Sequence, residues 1–298
     1  MRLITFTSAE SAAPRVGALV DGGDAAVDLS AAGVADTLED LIAGGQESLA
    51  AARDAIDSGA SRRPASDITL HAPLSHPPKN VMCVGKNYHA HAQEFHSSGF
   101  DASSGKDAAA LPEHPVVFTK AHTSIVGPGV PIDTGLDPTR STDYEGELAV
   151  VIGRGGRGIR QADCWSHVFG YTIVNDVTAR ITQQTHRQWF LGKSIDTFCP
   201  MGPTLVTAEE VPDVRELTLT TTVNGEPRQQ ARVADLVFDI PTLIEVISRS
   251  IRLEPGDIIA TGTPAGVGIG FQPPRYLRPG DSVAITIEPI GTLENPVT

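Results

Sequence analysis

Residues 142–153 read TDYEGELAVVIG, and residues 167–176 read HVFGYTIVND. Leu148 to Ile152 is an unbroken apolar run bounded by Gly146 and Gly153. It reads as a β-strand. The second stretch is a similar run that stops at Asn175-Asp176. Side chains alternate along a strand, so Glu145 and Glu147 point to one face, and Asp143 shares it if the strand begins early enough. Two buried carboxylates this close raise each other's pKa unless a cation neutralises them. An all-oxygen donor set suits Mg²⁺, Mn²⁺ or Ca²⁺. A half-exposed strand with an acidic outer face explains the Glu-x-Glu pattern equally well. Asp176 tips the balance, because it offers a third carboxylate at the end of another strand.

Working outward, most segments are strands. NVMCVGKNY (80–88), PVVFTK (115–120), LEPGDIIATGTP (253–264) and LRPGDSVAITIEPIG (277–291) are read as strands. LTLTTTVNGEPRQQARV (217–233) is a hairpin turning at Asn224-Gly225. Helical spacing marks HAHAQEF, TARITQQTHRQW and DIPTLIEVISRSI. No βαβ repeat emerges. The fold class is α+β, mostly β with a few helices. Residues 1–72 read as a small N-terminal α/β domain, with SRRPASD as a linker, and residues 73–298 as a second unit, denser in chemical motifs.

The chain has 298 residues and a net charge of −13, with no basic run, which removes the electrostatic drive for nucleic acid or an anionic membrane surface. No stretch approaches 18 apolar residues, and the N-terminus lacks a signal-peptide core. Three cysteines without a CxxC spacing fit buried thiols in a reducing cytoplasm.

Residues 153–158 spell GxGxxG after a strand, with Asp176 downstream. A dinucleotide site needs a long helix opening at that point. The following IRQADCWSH leaves room for two or three turns only, so this is read as a connection. His91 and Glu94 lie three residues apart, neighbours on a helix. A carboxylate beside an imidazole orients it as a general base, although an exposed His–Glu contact fits the spacing too. Lys193, flanked by large apolar residues in WFLGKSIDTF, is a candidate charge stabiliser or a snorkelling surface lysine.

Taken together and in order, CVGKNYHAHAQE, DYEGELAVVIG, GYTIVNDVTAR, Gln183, QWFLGKSIDTFCPMGP, LEPGDIIATGTPAGVG and PPRYLRPGDSV resemble the fumarylacetoacetate hydrolase family. The resemblance implies a small N-terminal domain, a β-roll catalytic domain, a homodimer and dependence on Mg²⁺ or Mn²⁺. It implies Glu145, Glu147 and Asp176 as metal ligands and His91–Glu94 as a water-activating dyad. Gln183 and Lys193 would lie around the reacting carbonyl, and Thr263 would touch substrate. The implied substrate is a small 2-oxo acid, and the expected reaction is C–C hydrolysis of a 2,4-dioxo acid. Decarboxylation or isomerisation of oxaloacetate-like or hydroxymuconate-type diacids on the same site is the alternative, and a binding scaffold without turnover is the non-enzyme one. Residues 96–113 would form a lid. Where the family has Asp after the arginine of NDVTAR, this chain has Ile181, which puts the support of Arg180 in question.

Overall fold

The computed structural model describes residues 1–59, 61–100 and 111–298. The chain opens with β1 (Arg2–Ser8), β2 (Ser11–Val20) and β3 (Ala25–Asp28), a meander of antiparallel pairs. Helices α1 (Leu38–Ala43) and α2 (Gly45–Ser58) follow, and Thr37 caps the first by accepting from Asp40 N–H. The stretch expected to be a linker instead contains β4 (Arg62–Pro64), an edge strand on β3, and β5 (Ile68–His71) pairs with β1. Its Arg and Pro residues fit a sheet edge, which tolerates missing donors and outward charge.

β6 (Val81–Gly85) leads into α3 (His89–Ser98), so the first residues expected in the lid, 96–98, end a helix. Residues 101–110, the centre of that expectation, lie outside the described residues. β7 (Val116–Lys120), β8 (Ile125–Val126) and β9 (Thr142–Asp143) precede the long hairpin of β10 (Gly146–Ile152) and β11 (Val168–Asn175). The glycine-rich connection between those two strands enters a 3₁₀ turn, as the connection reading expects. β12 (Thr178–Ala179), α4 (Arg180–Thr185) and α5 (Phe190–Lys193) come next, then β13 (Cys199–Thr207). β14 (Thr218–Val223) and β15 (Glu226–Arg232) form the expected hairpin. They are followed by α6 (Ile240–Ser248), β16 (Ile258–Ala260), β17 (Ser282–Ile287) and β18 (Gly291–Pro296).

Among the described residues the main path of the large sheet runs β4-β3-β2-β1-β13-β11-β10-β16-β6-β7. A second sheet, β15-β14-β17-β18, packs against it. β10 is buried throughout. Leu148, Val150 and Ile152 join one core with α6 and the second sheet, while Ala149 and Val151 join another with α1 and α2. The mostly β fold with a few helices therefore holds. All three cysteines are free and buried. Among the described residues no helix is long and apolar enough to cross a membrane.

β13 seams the N-terminal strands to the rest, with Leu205 opposite Leu3 and fully buried. Leu205→Ala should cost about 2–5 kcal/mol, measured by chemical denaturation. The N-terminal strands and the 146–207 hairpin region should lose structure together. Separate melting of residues 1–72 would show that the β1–β13 seam contributes little.

Candidate active site

The register of the β10–β11 hairpin builds the site. Gly146 pairs with Asn175, so the residue before β10 and the residue after β11 meet. Glu145 N–H donates to Asn175 Oδ1 at 2.9 Å, and Asp176 N–H donates to the Glu145 carbonyl at 2.8 Å. Glu145, Glu147 and Asp176 each offer an oxygen, and these oxygens lie within 4.8 Å of one another. All three side chains are buried.

Three buried cations face them. Lys193 Nζ lies 2.7 Å from Glu145 Oε2 and 2.6 Å from Asp176 Oδ2. Lys120 Nζ lies 2.8 Å from Asp176 Oδ1 and donates to the carbonyls of Val177 and Lys193. Arg180 spans Glu145 Oε1 at 2.5 Å and Asp143 Oδ2 at 2.9 Å. Burial pushes the Glu145 carboxyl up, but Arg180 and Lys193 outweigh it and hold Glu145 well below the usual range. Glu147 goes the other way: burial raises it well above its ordinary value, and Asp176 and Glu145 add to the rise. Its carboxylate accepts from Gly262 N–H at 2.8 Å. The donor set fits a hard divalent cation: three converging carboxylates, oxygen only, with an ammonium already bridging two of them.

His91 and Glu94 meet on α3, with Nδ1 3.2 Å from Oε2. Glu94 Oε1 accepts from Gly266 N–H at 3.0 Å, and a Cβ on Gly270 would overlap that same oxygen. The pair is therefore built into the loop after β16 and is not a casual surface contact. Gln183 is buried, with Oε1 unpartnered among the described residues. Thr263 donates to the Gly146 carbonyl at 3.0 Å and accepts from Gln229 at 2.7 Å, so its hydroxyl is engaged with the protein. One cavity of about 20 Å³, room for about one water, is lined by His91, Gln183, Lys193, Thr263 and the three carboxylates. Glu94 stands behind His91. Phe95, Phe118 and Trp189 form its aromatic wall, with Trp189 edge-on to both rings at centroid distances of 6.0 and 5.0 Å.

Asp143 departs from expectation. It does not join the glutamates, because β9 pairs with β12 and aims it at Arg180, the residue after that strand. The expectation also left Lys120 out, since a lysine ending an apolar strand carries no local sign that it will be buried. Arg180 itself is buried, and its partners are Asp143 and Glu145. Ile181 points outward, 39% exposed, and its N–H bonds Ser141 Oγ. The unusual residue at 181 thus leaves the support of Arg180 intact.

Comparison with known proteins shows the family. The family described as fumarylacetoacetate (FAA) hydrolase C-terminal matches residues 80–298. The chain belongs to the fumarylacetoacetate hydrolase family. It is 51% identical over 232 residues to oxaloacetate tautomerase YisK of Bacillus subtilis, covering 78% of this chain and 74% of that one. It is 37% identical to the mitochondrial oxaloacetate tautomerase fahd2 of Xenopus laevis, covering 100% of this chain and 90% of the relative. Among solved structures, a fumarylacetoacetate hydrolase from Exiguobacterium antarcticum superposes with a TM-score of 0.83 at 40% identity, covering 100% and 99% of the two chains.

Three outcomes follow from the site. A carboxyl raised above its ordinary 4.5 must lose a proton before it can ligate a cation. Mg²⁺ affinity should therefore strengthen as pH rises, with proton release seen by calorimetry in buffers of different ionisation enthalpy. In chelated protein the same shift stabilises the fold fully below pH 4.5, and that contribution is lost as pH rises through the elevated folded value. Ile181→Asp should change melting temperature and turnover little, because position 181 faces solvent. A large loss of activity would mean that this position does support Arg180.

Proposed function

We propose that this protein is a divalent-metal-dependent enzyme that interconverts the enol and keto forms of a small 2-oxo diacid of the oxaloacetate type. The observation that carries this reading is the His91–Glu94 pair in the wall of the cavity that holds the three carboxylates. Tautomerisation moves one proton between carbon and oxygen. It needs a positioned base on one side and a positive environment for the oxygen on the other. The tautomerase names of the Bacillus and Xenopus relatives support the same choice.

On this reading Glu145, Glu147 and Asp176 hold Mg²⁺ or Mn²⁺. When bound, the cation supplies Lewis-acid stabilisation of negative charge on the 2-oxo oxygen. Glu94 accepts a hydrogen bond from His91 Nδ1–H, which leaves Nε2 to take the proton from the carbon beside the oxo group and deliver it to the oxo oxygen as the C–H electron pair becomes the enol double bond, the reverse path running from enol to keto. Gln183 and Lys193 supply polar contacts around that oxygen, and Thr263 shapes the floor by fixing the Gly146 carbonyl. Substrate enters only as the aromatic wall yields, since the cavity has room for about one water. We place the protein in a reducing cytoplasm, as a homodimer whose partner molecule is the 2-oxo acid.

C–C hydrolysis of a 2,4-dioxo acid is the second reading. The space for about one water beside His91 favours it, because that reaction needs a water there. The ultraviolet absorbance of the oxaloacetate enol separates the two, followed beside pyruvate release from acetylpyruvate and carbon dioxide release. Enol decay should accelerate with Mg²⁺, stop with EDTA and return on adding the metal. His91→Ala should lower kcat about 10²–10⁴-fold with metal affinity nearly unchanged. Cleavage of acetylpyruvate without any effect on enol decay would overturn the tautomerase reading in favour of the hydrolase.

A further inference from the structure

Asp143 is fully buried and does not belong to the three-carboxylate group. Both oxygens reach the loop after β16, and Oδ2 reaches Arg180 as well. Oδ2 accepts from Arg180 Nε at 2.9 Å and from Ile269 N–H at 3.1 Å. Oδ1 accepts from Gly268 N–H at 2.7 Å and from Tyr144 N–H at 2.9 Å. An ionised carboxylate offers about four acceptor sites, and here all are taken, so it cannot turn without losing a bond.

Each side of this carboxylate leads to one half of the site. Through Arg180 it reaches Glu145 Oε1, 2.5 Å from Nη1. Through Gly268 and Ile269 it fixes the turn whose Gly266 N–H holds Glu94 Oε1 at 3.0 Å. Tyr144 clamps the same turn by donating its hydroxyl to the Gly266 carbonyl at 2.7 Å. Glu94 in turn holds His91. A continuous chain of short polar contacts and one tight turn therefore runs from Glu145 to the imidazole, with Asp143 at its middle.

We propose that Asp143 is a positioning residue that sets the distance between the metal-ligand carboxylates and the base. A carboxylate that served only as counter-ion to Arg180 would have no need of the two N–H groups from the loop after β16. A carboxylate that served only to fix that loop would have no need of Arg180. The inference rests on the roles proposed above for Glu145 and His91.

Asp143→Asn tests it. The amide has one acceptor oxygen, and whichever way it turns, an NH₂ group meets a donor on the other arm. Outer-shell partners of metal ligands typically contribute 10–100-fold. Mg²⁺ dissociation constants from calorimetry should rise by about that factor. The ¹⁵N resonances of the His91 ring in metal-free protein should move as well. Movement of both readouts supports the proposal. A lower melting temperature with either readout unmoved overturns it.

If Asp143→Asn does not fold, Tyr144→Phe carries the test, since it loses only the hydroxyl bond to Gly266. The His91 resonances should then shift while Mg²⁺ affinity stays within about twofold, as the Arg180 arm is untouched. Unmoved His91 resonances in Tyr144→Phe overturn the proposal. If the wild-type protein takes up neither Mg²⁺ nor Mn²⁺, the metal reading fails by itself, and the His91 resonances alone decide the Asp143 link.

Discussion

Four carboxylates buried in one region of the fold, Asp143, Glu145, Glu147 and Asp176, are the constraint on which the rest of the structure depends. Each ion removed from water costs several kcal/mol unless it is paired and hydrogen-bonded. Lys120, Arg180 and Lys193 supply three positive charges, and each lies within 3 Å of a carboxylate oxygen. That leaves one carboxylate more than there are cations in the set. The unbalanced group is Glu147, next to Asp176 and Glu145, with a single backbone N–H among its described partners. Burial and its two acidic neighbours push its carboxyl well above the ordinary value, a cost that a divalent cation held by the same three carboxylates would relieve.

That arrangement dictates the surrounding fold. Buried cations need rigid donors and acceptors, and the hairpin of β10 and β11 is buried on both sides by two separate cores. The loop after β16 is tied down in the same way. Gly262, with φ +110°, brings its N–H to Glu147 where a Cβ would crowd Asn87, and Gly270 leaves room for Glu94. These two glycines are thus points where backbone closes onto buried acids.

How much of this was legible in the sequence follows from which contacts are local. Glu145 and Glu147 could be placed on one face because alternation is a property of the strand itself. Asp176 could be added because it ends an apolar run. His91 and Glu94 followed from helical spacing. Asp143 would have shared that face only if the strand began early enough; it does not, and the direction of Asp143 is set by β9 pairing with β12, across 35 residues of chain. The seam between β1 and β13 joins residues about two hundred positions apart, and CPMGPTLVT carries glycine and prolines that obscure a strand. Lys120 had no local signature at all, since its burial depends on Asp176 and two carbonyls from other segments.

The relatives include proteins named as tautomerases and a structure named as a hydrolase, on closely similar scaffolds. The charge balance described above suits any reaction in which negative charge builds on a 2-oxo oxygen. What differs between them is whether a water molecule stands beside the base while the substrate is bound. In this chain that question falls on the wall of Phe95, Phe118 and Trp189 and on Gly85, where a Cβ would press within 2.5 Å of the Trp189 ring. Beneath that wall the buried carboxylates and lysines provide one electrostatic setting that either of the proposed reactions would use.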